Sequence, residues 1–486
     1  MNRTTILRPG DTCWRVESAE RVQVIVDGAD YFAMLKRALL TAEDAVFMIG
    51  WDFDGRVDLE PEGTTLPGPN ELAKFLFWLA EERPSLDIYI LQWAFGQTEA
   101  LSRGEIPLGI RAITAPANVM ASLDSTHPMG AAHHSKVIVV DDALAFCGGI
   151  DITAGRWDTR KHADADPRRD IPGAPGQPWH DVTTALNGPV AAALGELARE
   201  RWRLATGDTL PAPAPRAPLW LDDLPTTFAN VEVGIARTAP TLGERPEVRE
   251  IEALYLAIVE ATQATLYIET QYLGSRTVAE AMAARLAEPD GPEIVLILPQ
   301  QADGWLRRKA MDGARQRLLR YLWANDRHRR FAAYYPVTAE GGPIYVHSKV
   351  LVMDDTLLRV GSSNLNNRSM GFDTETDVVI DAASCAEAGT LRDTIATFRN
   401  DLIAEHLGVT DERVRAAVAQ EGSLIAAIEH LSGDGRTLCR FTREDVEDED
   451  SIFAENEFAD PESAEEGLGR RLSTGFAQLI ENLTGD

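Results

Sequence analysis

The chain is 486 residues long and carries 47 Lys and Arg against 76 Asp and Glu, a formal net charge of −29. That length accommodates two or more domains, and that charge argues against a nucleic-acid binder, whose affinity originates in neutralising phosphates with Lys and Arg. Hydrophobic residues at 44% and charged residues at 25% exclude global disorder, and the dispersed Cys13, Cys147, Cys385 and Cys439 have neither disulfide-framework nor zinc-site spacing and suit a reducing compartment.

Met1 to Gly10 meets a charge and a proline before any apolar run develops, so no secretory signal is expected, and no apolar stretch reaches the roughly 18 residues of a membrane span. A cytoplasmic or peripheral membrane location is the expectation, with signal-independent export left open. Strand-like apolar runs follow in order at Ala45–Ile49, Leu86–Leu91, Lys136–Val140, Thr265–Ile268, Glu293–Leu298, Lys349–Met353 and Asp377–Ile380, separated by longer helical patterns. This alternation predicts an α/β protein with a largely buried sheet. Asp208–Pro225 holds five prolines, too many for a helix or an inner strand, and reads as a linker. The expected division is a first half (1–207), the linker (208–225), a second half (226–408) and a helical, acidic extension (409–486). Trp305–Arg330 combines Arg and Lys with apolar residues at helical spacing. A helix packed on the core with a solvated basic side is favoured there over one lying in a membrane surface. Glu444–Glu466 carries twelve Asp and Glu with no Lys or Arg, which predicts a solvated tail.

One internal repeat carries chemistry. His134-Ser135-Lys136, followed by Asp141, Gly148, Gly149 and Asp151, aligns with His347-Ser348-Lys349, followed by Asp354, Gly361, Ser362 and Asn364. From each histidine, Lys stands at +2, Asp at +7, Gly at +14 and a carboxylate or amide at +17. At roughly 5% usage per residue type, two such copies arise by chance in about one chain in a hundred thousand. His and Lys two apart on a strand project from the same face. Small residues at +14 and +15, among them Gly149 and Ser362, let a ligand approach the backbone. Halves packed about a pseudo-twofold axis would bring two histidines and two lysines to one pocket, which with the Asn364 amide suits an anionic phosphoryl group. A metal is the rival account, because His133 adjoins His134 and Asp181 follows His180. Lys at +2, however, puts a positive charge where a divalent cation would sit, so neither metal nor cofactor is expected. His127, His162, His328, His406 and His430 read as satisfied histidines without a chemical role.

These paired H-x-K-x4-D motifs resemble those of the phospholipase D superfamily. Gly148 to Asp158, Pro178 to Asp181, Tyr267 to Tyr272 and Gly361 to Met370 are similar to stretches of phosphatidylcholine-type phospholipases D, and the likeness runs from about Arg8 to about Gly408. The resemblance implies two similar α/β halves, each a mixed β-sheet flanked by helices, packed about a pseudo-twofold axis with the active site between them. It implies that His134 attacks phosphorus and that His347 acts first as general acid, then as base. Lys136, Lys349 and Asn364 would bind the non-bridging oxygens, while Asp151, Gly149, Ser362, Trp157 and Trp179 would line the substrate.

Each histidine also needs a partner to fix its tautomer. Glu375, 28 residues after His347, is expected to serve His347. The same offset from His134 gives His162, so Asp181, beyond a Pro- and Gly-rich insertion, is expected to serve His134. Asp141 and Asp354, counted with the catalytic set, are expected to support strands rather than touch substrate. Asp151 stands where the second half has Asn364; a carboxylate beside a phosphate is unfavourable, so it is expected to orient a lysine or a substrate hydroxyl.

The implied activity is hydrolysis of a phospholipid head-group phosphodiester to phosphatidic acid through a phosphohistidine, with transfer to an alcohol as a variant. Nucleases of the superfamily are short, basic, single-motif chains, and cardiolipin synthases generally carry N-terminal membrane spans. A catalytically dead scaffold would lack one of the four His and Lys residues. The expected partners are a phospholipid at a membrane surface and water or a small alcohol, without nucleic acid, and the expected state is a monomer.

Overall fold

Val137–Val140 and Val350–Met353, the runs that follow the two histidine motifs, are buried along their whole length, as strands covered on both faces must be. They are inner strands of a 16-stranded mixed sheet that passes through both halves of the chain. A computed structural model describes residues 4–94, 115–170, 176–302, 311–385, 388–446 and 460–461. The first half contributes β1 (Arg15–Val26), β2 (Ala45–Gly50), β3 (Asp87–Trp93), β4 (Val119–Asp124), β5 (Val137–Val140), β6 (Leu144–Gly148), β7 (Trp179–His180) and β8 (Val182–Asn187). The second contributes β9 (Phe228–Ala239), β10 (Val248–Arg249), β11 (Thr265–Glu269), β12 (Glu293–Ile297), β13 (Phe331–Val337), β14 (Tyr345–Val346), β15 (Val350–Met353), β16 (Leu357–Gly361) and β17 (Glu375–Asp381), and β18 (Thr437–Arg440) follows.

The sheet is a palindrome. From its centre the order runs β1-β8-β6-β5-β2-β3-β4 one way and β9-β17-β16-β15-β11-β12-β13 the other, with β18 added at the second edge. The central β1 and β9 pair antiparallel, Arg15 opposite Ile235, so the duplication seen in the motifs extends to the whole architecture. The seven strand-like runs fall on β2, β3, β5, β11, β12, β15 and β17. The central β1 escapes an apolar-run reading because Glu17, Ser18, Glu20 and Arg21 interrupt it.

Helices cover both faces. Gly28–Leu39 and Leu72–Glu82 build one core with the first half's strands, and Glu250–Ala261 and Arg276–Leu286 build its counterpart on the second. A third core, under Pro189–Thr206 and Ala388–Leu407, joins residues of both halves, with Val22, Val182, Val233 and Val378 in one cluster. No helix among the described residues is long and apolar enough to cross a membrane.

The segment expected as a linker has no regular secondary structure, yet it is strapped to the first half. Leu221 and Leu224 are buried in that core, and the Leu219 N–H donates to the Ala143 carbonyl at 3.2 Å. Within the basic stretch, Gly313–Asn325 is a helix whose Arg315, Leu319 and Leu322 face inward. Trp305, Arg307, Arg308 and Lys309 lie outside the described residues. Most of the acidic run does too, but Asp460 departs from the solvated-tail expectation. It is buried, and its carboxylate accepts the Asn367 and Arg368 N–H groups at 3.0 and 2.8 Å.

At the end of β16 the backbone turns sharply toward the site, held by a buried ion pair. The Arg359 Nε donates to Asp377 Oδ2 at 2.8 Å, and Asp377 Oδ1 accepts the Ser362 and Ser363 N–H groups at 3.1 and 3.2 Å. Gly361 is obligatory, because a Cβ there would lie 1.9 Å from Asp377 Oδ1. Asp377→Ala strands a buried guanidinium and is expected to cost about 3–5 kcal/mol of stability, read by urea denaturation. A loss below about 1 kcal/mol would show that the pair does not hold this turn.

Candidate active site

His134 and His347 stand three residues before β5 and β15, and in each motif the lysine folds back on its own histidine. Lys136 Nζ donates to the His134 carbonyl at 2.8 Å, and Lys349 Nζ donates to the His347 carbonyl in the same way.

The carboxylates that orient the two imidazoles come from the opposite halves. His134 Nδ1 lies 3.0 Å from both oxygens of Glu375, and His347 Nδ1 lies 2.7 Å from Asp181 Oδ2. This reverses the pairing expected from sequence offsets. The cause is backbone register across the pseudo-twofold. His133 bridges Thr374 in parallel, which puts His134 beside Glu375, and the parallel β7–β14 ladder pairs Val346 with His180, which puts His347 beside Asp181. Main-chain bonds lock both contacts: the His134 N–H donates to the Thr374 carbonyl and the His347 N–H to the His180 carbonyl, each at 2.8 Å.

The two carboxylates are held differently. Glu375 accepts from the Ser362 and Ser369 hydroxyls. Asp181 Oδ1 accepts the Val182 N–H at 2.8 Å and occupies the space a Cβ at Gly149 would need, 2.3 Å from that position. The same Cβ would lie 3.3 Å from Lys349 Cδ, so Gly149 is where the first half's backbone comes up against the second half's lysine.

Burial and neighbouring cations set the protonation of the site. Burial, then Lys136 and Lys349, pushes His134 well below the ordinary imidazole range. Burial, then Lys349, Arg156 and Lys136, does the same to His347. Each lysine therefore acts on both rings, so the four groups converge on one space. Burial also lowers Lys349 to about 7, and raises Asp181 to about 6 and Glu375 to about 7. A neutral imidazole that donates through Nδ1 keeps its Nε2 lone pair for chemistry.

The remaining candidates divide. Asp151 is buried with Oδ2 3.3 Å from Lys136 Nζ and Oδ1 without a hydrogen-bond partner. Asn364 is buried with Oδ1 likewise unpartnered. Trp179 stacks on Tyr345 at 4.5 Å between ring centroids and packs against the His347 ring at 5.1 Å. Two expectations are corrected. Trp157 is packed in the first half's core with Arg168 over its ring, where it serves the fold. The Ser362 hydroxyl is occupied in holding Glu375, so it supports the site rather than lining substrate. Asp141 and Asp354, counted with the catalytic set but expected to support strands, are engaged at strand ends: Asp141 takes the N–H groups of Glu43, Asp44 and Ala45 at 2.8 Å, and Asp354 takes those of Gln263, Ala264 and Thr265 at 2.7–2.9 Å. They fasten β5 to β2 and β15 to β11. His133, a metal-rival residue in the sequence, is tied to Asp124 and the Thr374 hydroxyl, each at 2.9 Å.

Two contributors were not singled out from sequence. The Arg156 guanidinium lies 3.8 Å over the Trp179 ring, and Gln271 Oε1 sits 3.5 Å from Lys349 Nζ. Both lie inside stretches that carry the family likeness, and that was the only available signal.

Two family descriptions match the chain: "Phospholipase D" over residues 115–231 and "Cardiolipin synthase, PLD-like domain" over residues 255–396. The chain therefore carries phospholipase D superfamily domains, one in each half. Among curated relatives, phospholipase D alpha 2 of Oryza sativa subsp. japonica is 22% identical over 76% of this chain and 63% of its own length. Phospholipase D alpha 1 of Nicotiana tabacum is 24% identical over 58% of this chain and 49% of its own. Phospholipase D A of Dictyostelium discoideum is 24% identical over 80% of this chain, which spans 36% of that protein. In fold, the chain is similar to the crystal structure of phosphatidylserine synthase from Haemophilus influenzae Rd KW20, with a TM-score of 0.53 at 14% identity, covering 79% of this chain and 86% of that one.

The crossed pairing has a direct spectroscopic consequence. In 15N-histidine NMR spectra, Glu375→Ala should move the ring resonances of His134 and leave those of His347 in place, while Asp181→Ala should do the reverse. A Glu375→Ala variant whose His347 signals move instead would restore the pairing within each half.

Proposed function

We propose that this chain is a phospholipase D that hydrolyses the head-group phosphodiester of phosphatidylcholine or phosphatidylethanolamine to phosphatidic acid. The observation that carries the reading is the pair of buried imidazoles, each held at Nδ1 by a carboxylate from the other half and both within the field of Lys136 and Lys349. His134 Nε2 attacks phosphorus, the bond from phosphorus to the head-group oxygen breaks, and His347 Nε2–H delivers the proton to the leaving alcohol. Water then gives a proton to His347 and attacks phosphorus, and the P–N bond breaks to release phosphatidic acid and free His134. Lys136, Lys349 and Asn364 stabilise the non-bridging oxygens, with Asp151 orienting Lys136.

In the free enzyme the surrounding cations disfavour a proton on His347. A phosphodiester anion between the lysines offsets that effect, so substrate binding itself arms the acid. Lipid as the substrate class rests on the names of the relatives above. An acceptor alcohol can replace water in the second step. The "Cardiolipin synthase, PLD-like domain" match favours such a phosphatidyltransferase as the second reading.

His134→Ala should lower kcat by at least the roughly 10²- to 10⁴-fold of a general acid or base, since the covalent route goes with it. Retention of more than about a tenth of wild-type activity removes His134 from the mechanism. With a substrate whose leaving group needs no acid, His347→Ala should accumulate phosphorylated His134, and mass spectrometry that finds no label there reverses the direction. The substrate class is decided by product analysis on phosphatidylcholine and phosphatidylethanolamine vesicles with and without ethanol, beside a DNA arm. Phosphatidic acid, joined by phosphatidylethanol when ethanol is present, is expected. DNA cleavage with the lipids intact would overturn the reading.

A further inference from the structure

Behind Asp181 lies a cluster of side chains that the proposed reaction does not use. Asp27, at the start of the helix Gly28–Leu39, meets His162 from a loop, His180 from β7 and Glu405 from the helix Ala388–Leu407 of the second half. All four are buried, with the two imidazoles 0% exposed. Glu405 Oε1 lies 3.0 Å from His162 Nε2 and 2.9 Å from His180 Nδ1. Asp27 completes the set, with Oδ2 3.5 Å from His162 Nε2 and Oδ1 3.3 Å from His180 Nδ1.

We propose that Asp27, His162, His180 and Glu405 form a structural site for a tetrahedral divalent cation of the zinc class. Bonds of about 2.0–2.1 Å to four tetrahedral ligands put neighbouring donor atoms about 3.3 Å apart. The separations between single donor atoms, 2.9 and 3.0 Å from Glu405 Oε1 to the two ring nitrogens and 3.5 Å from Asp27 Oδ2 to His162 Nε2, bracket that spacing. Two imidazoles and two carboxylates suit zinc, whereas calcium and magnesium take six or more oxygen ligands.

The groups around the cluster are those that orient metal ligands. His162 Nδ1 lies 3.0 Å from Asp158 Oδ2, and His180 Nε2 lies 2.8 Å from Glu269 Oε2, so each ring has a carboxylate on the nitrogen that faces away from the centre. Arg160 holds the other oxygen of Glu405, and the Asp181 N–H donates to Asp27 Oδ1 at 3.2 Å. Every ligand thus has an outer partner that fixes its direction. Glu269 itself is excluded as a ligand because Tyr267, Ser348, His180 and His406 already surround its two oxygens.

Protons are the competing occupant. Each ring faces carboxylate oxygens through both nitrogens, so with all four facing carboxylates ionised and no cation both rings would be imidazolium ions, with ring centroids 5.9 Å apart in a dry interior. One divalent cation supplies the same charge. It also accounts for Asp27 Oδ2, a buried carboxylate oxygen with no hydrogen-bond donor, which the protonated arrangement leaves unsatisfied.

The consequence for the site is positional. The Asp27 N–H donates to the Asp181 carbonyl at 2.8 Å, and the His180 carbonyl holds the His347 N–H at 2.8 Å. A cation here would staple the two halves and fix Asp181 against His347 without approaching phosphorus. This inference stands independently of the substrate.

Full-length protein purified from zinc-supplemented medium and dialysed should hold about one zinc per chain by elemental analysis. Replacement by Co2+ should give the intense visible bands of tetrahedral cobalt. Separate His162→Gln and Glu405→Gln variants should each lose most of the bound zinc. Wild-type protein that takes up less than about a tenth of an equivalent of Zn2+ or Co2+, or that shows only the weak bands of octahedral cobalt, would overturn the proposal without recourse to any variant. Full zinc retention in both variants would place the cation elsewhere and overturn it equally.

Discussion

The site depends on one constraint: each candidate imidazole is held by a carboxylate that belongs to the other half. A His–carboxylate pair fixes tautomer and ring orientation only while the hydrogen bond keeps its length and direction. Here that bond spans the pseudo-twofold, so neither half alone contains a complete pair. The central β1–β9 ladder, the shared core under the helices Pro189–Thr206 and Ala388–Leu407, and the bridges His133–Thr374 and Val346–His180 all fix the register of one half on the other. Gly149 carries the constraint to a single atom, because the space beside its Cα is filled by Asp181.

Electrostatics follow from the same closure. Bringing two lysines, two imidazoles and three carboxylates out of water penalises every charge among them, which is why Lys349 is lowered to about 7 while Asp181 and Glu375 rise to about 6 and 7. Groups displaced in this way respond strongly to one added charge. A phosphodiester anion is such a charge. The chain's net charge of −29 says nothing of this, since the cations that matter are two lysines and an arginine at one internal point.

Much of this was legible in the sequence, and what was not shares one cause. Seven apolar runs identified strands, and the duplicated spacing picked out His134, Lys136, His347 and Lys349, because both signals are local and periodic. Glu375 and Asp181 were found as partners but assigned to the wrong histidines, since an offset along the chain measures separation within one half whereas the contact is made between halves. Trp157 and Ser362 lie in the right stretches, but their side chains turn to the core and to Glu375. The cluster of Asp27, His162, His180 and Glu405 draws on four segments with no common spacing. His162 read as a satisfied histidine, and both its ring nitrogens do have partners, but nothing in its neighbourhood of the chain announces that one of them is Glu405, 243 residues away.

The duplication is broken beside the two histidines. At +22 from its histidine the first half has Arg156 and the second has Ser369. Arg156 lies over Trp179, against His347, and adds a cation that disfavours a proton on that ring. Ser369 donates to Glu375 and so supports the acceptor of the His134 Nδ1 proton. The ring beside the arginine parts readily with a proton once a bound anion has allowed it to take one, which is what an acid requires. The ring whose carboxylate is fastened by two hydroxyls keeps one tautomer and one direction, which is what a nucleophile requires. On the proposed reading, in which His134 attacks and His347 protonates, this pair of substitutions would supply the difference that the nearly symmetric motifs do not.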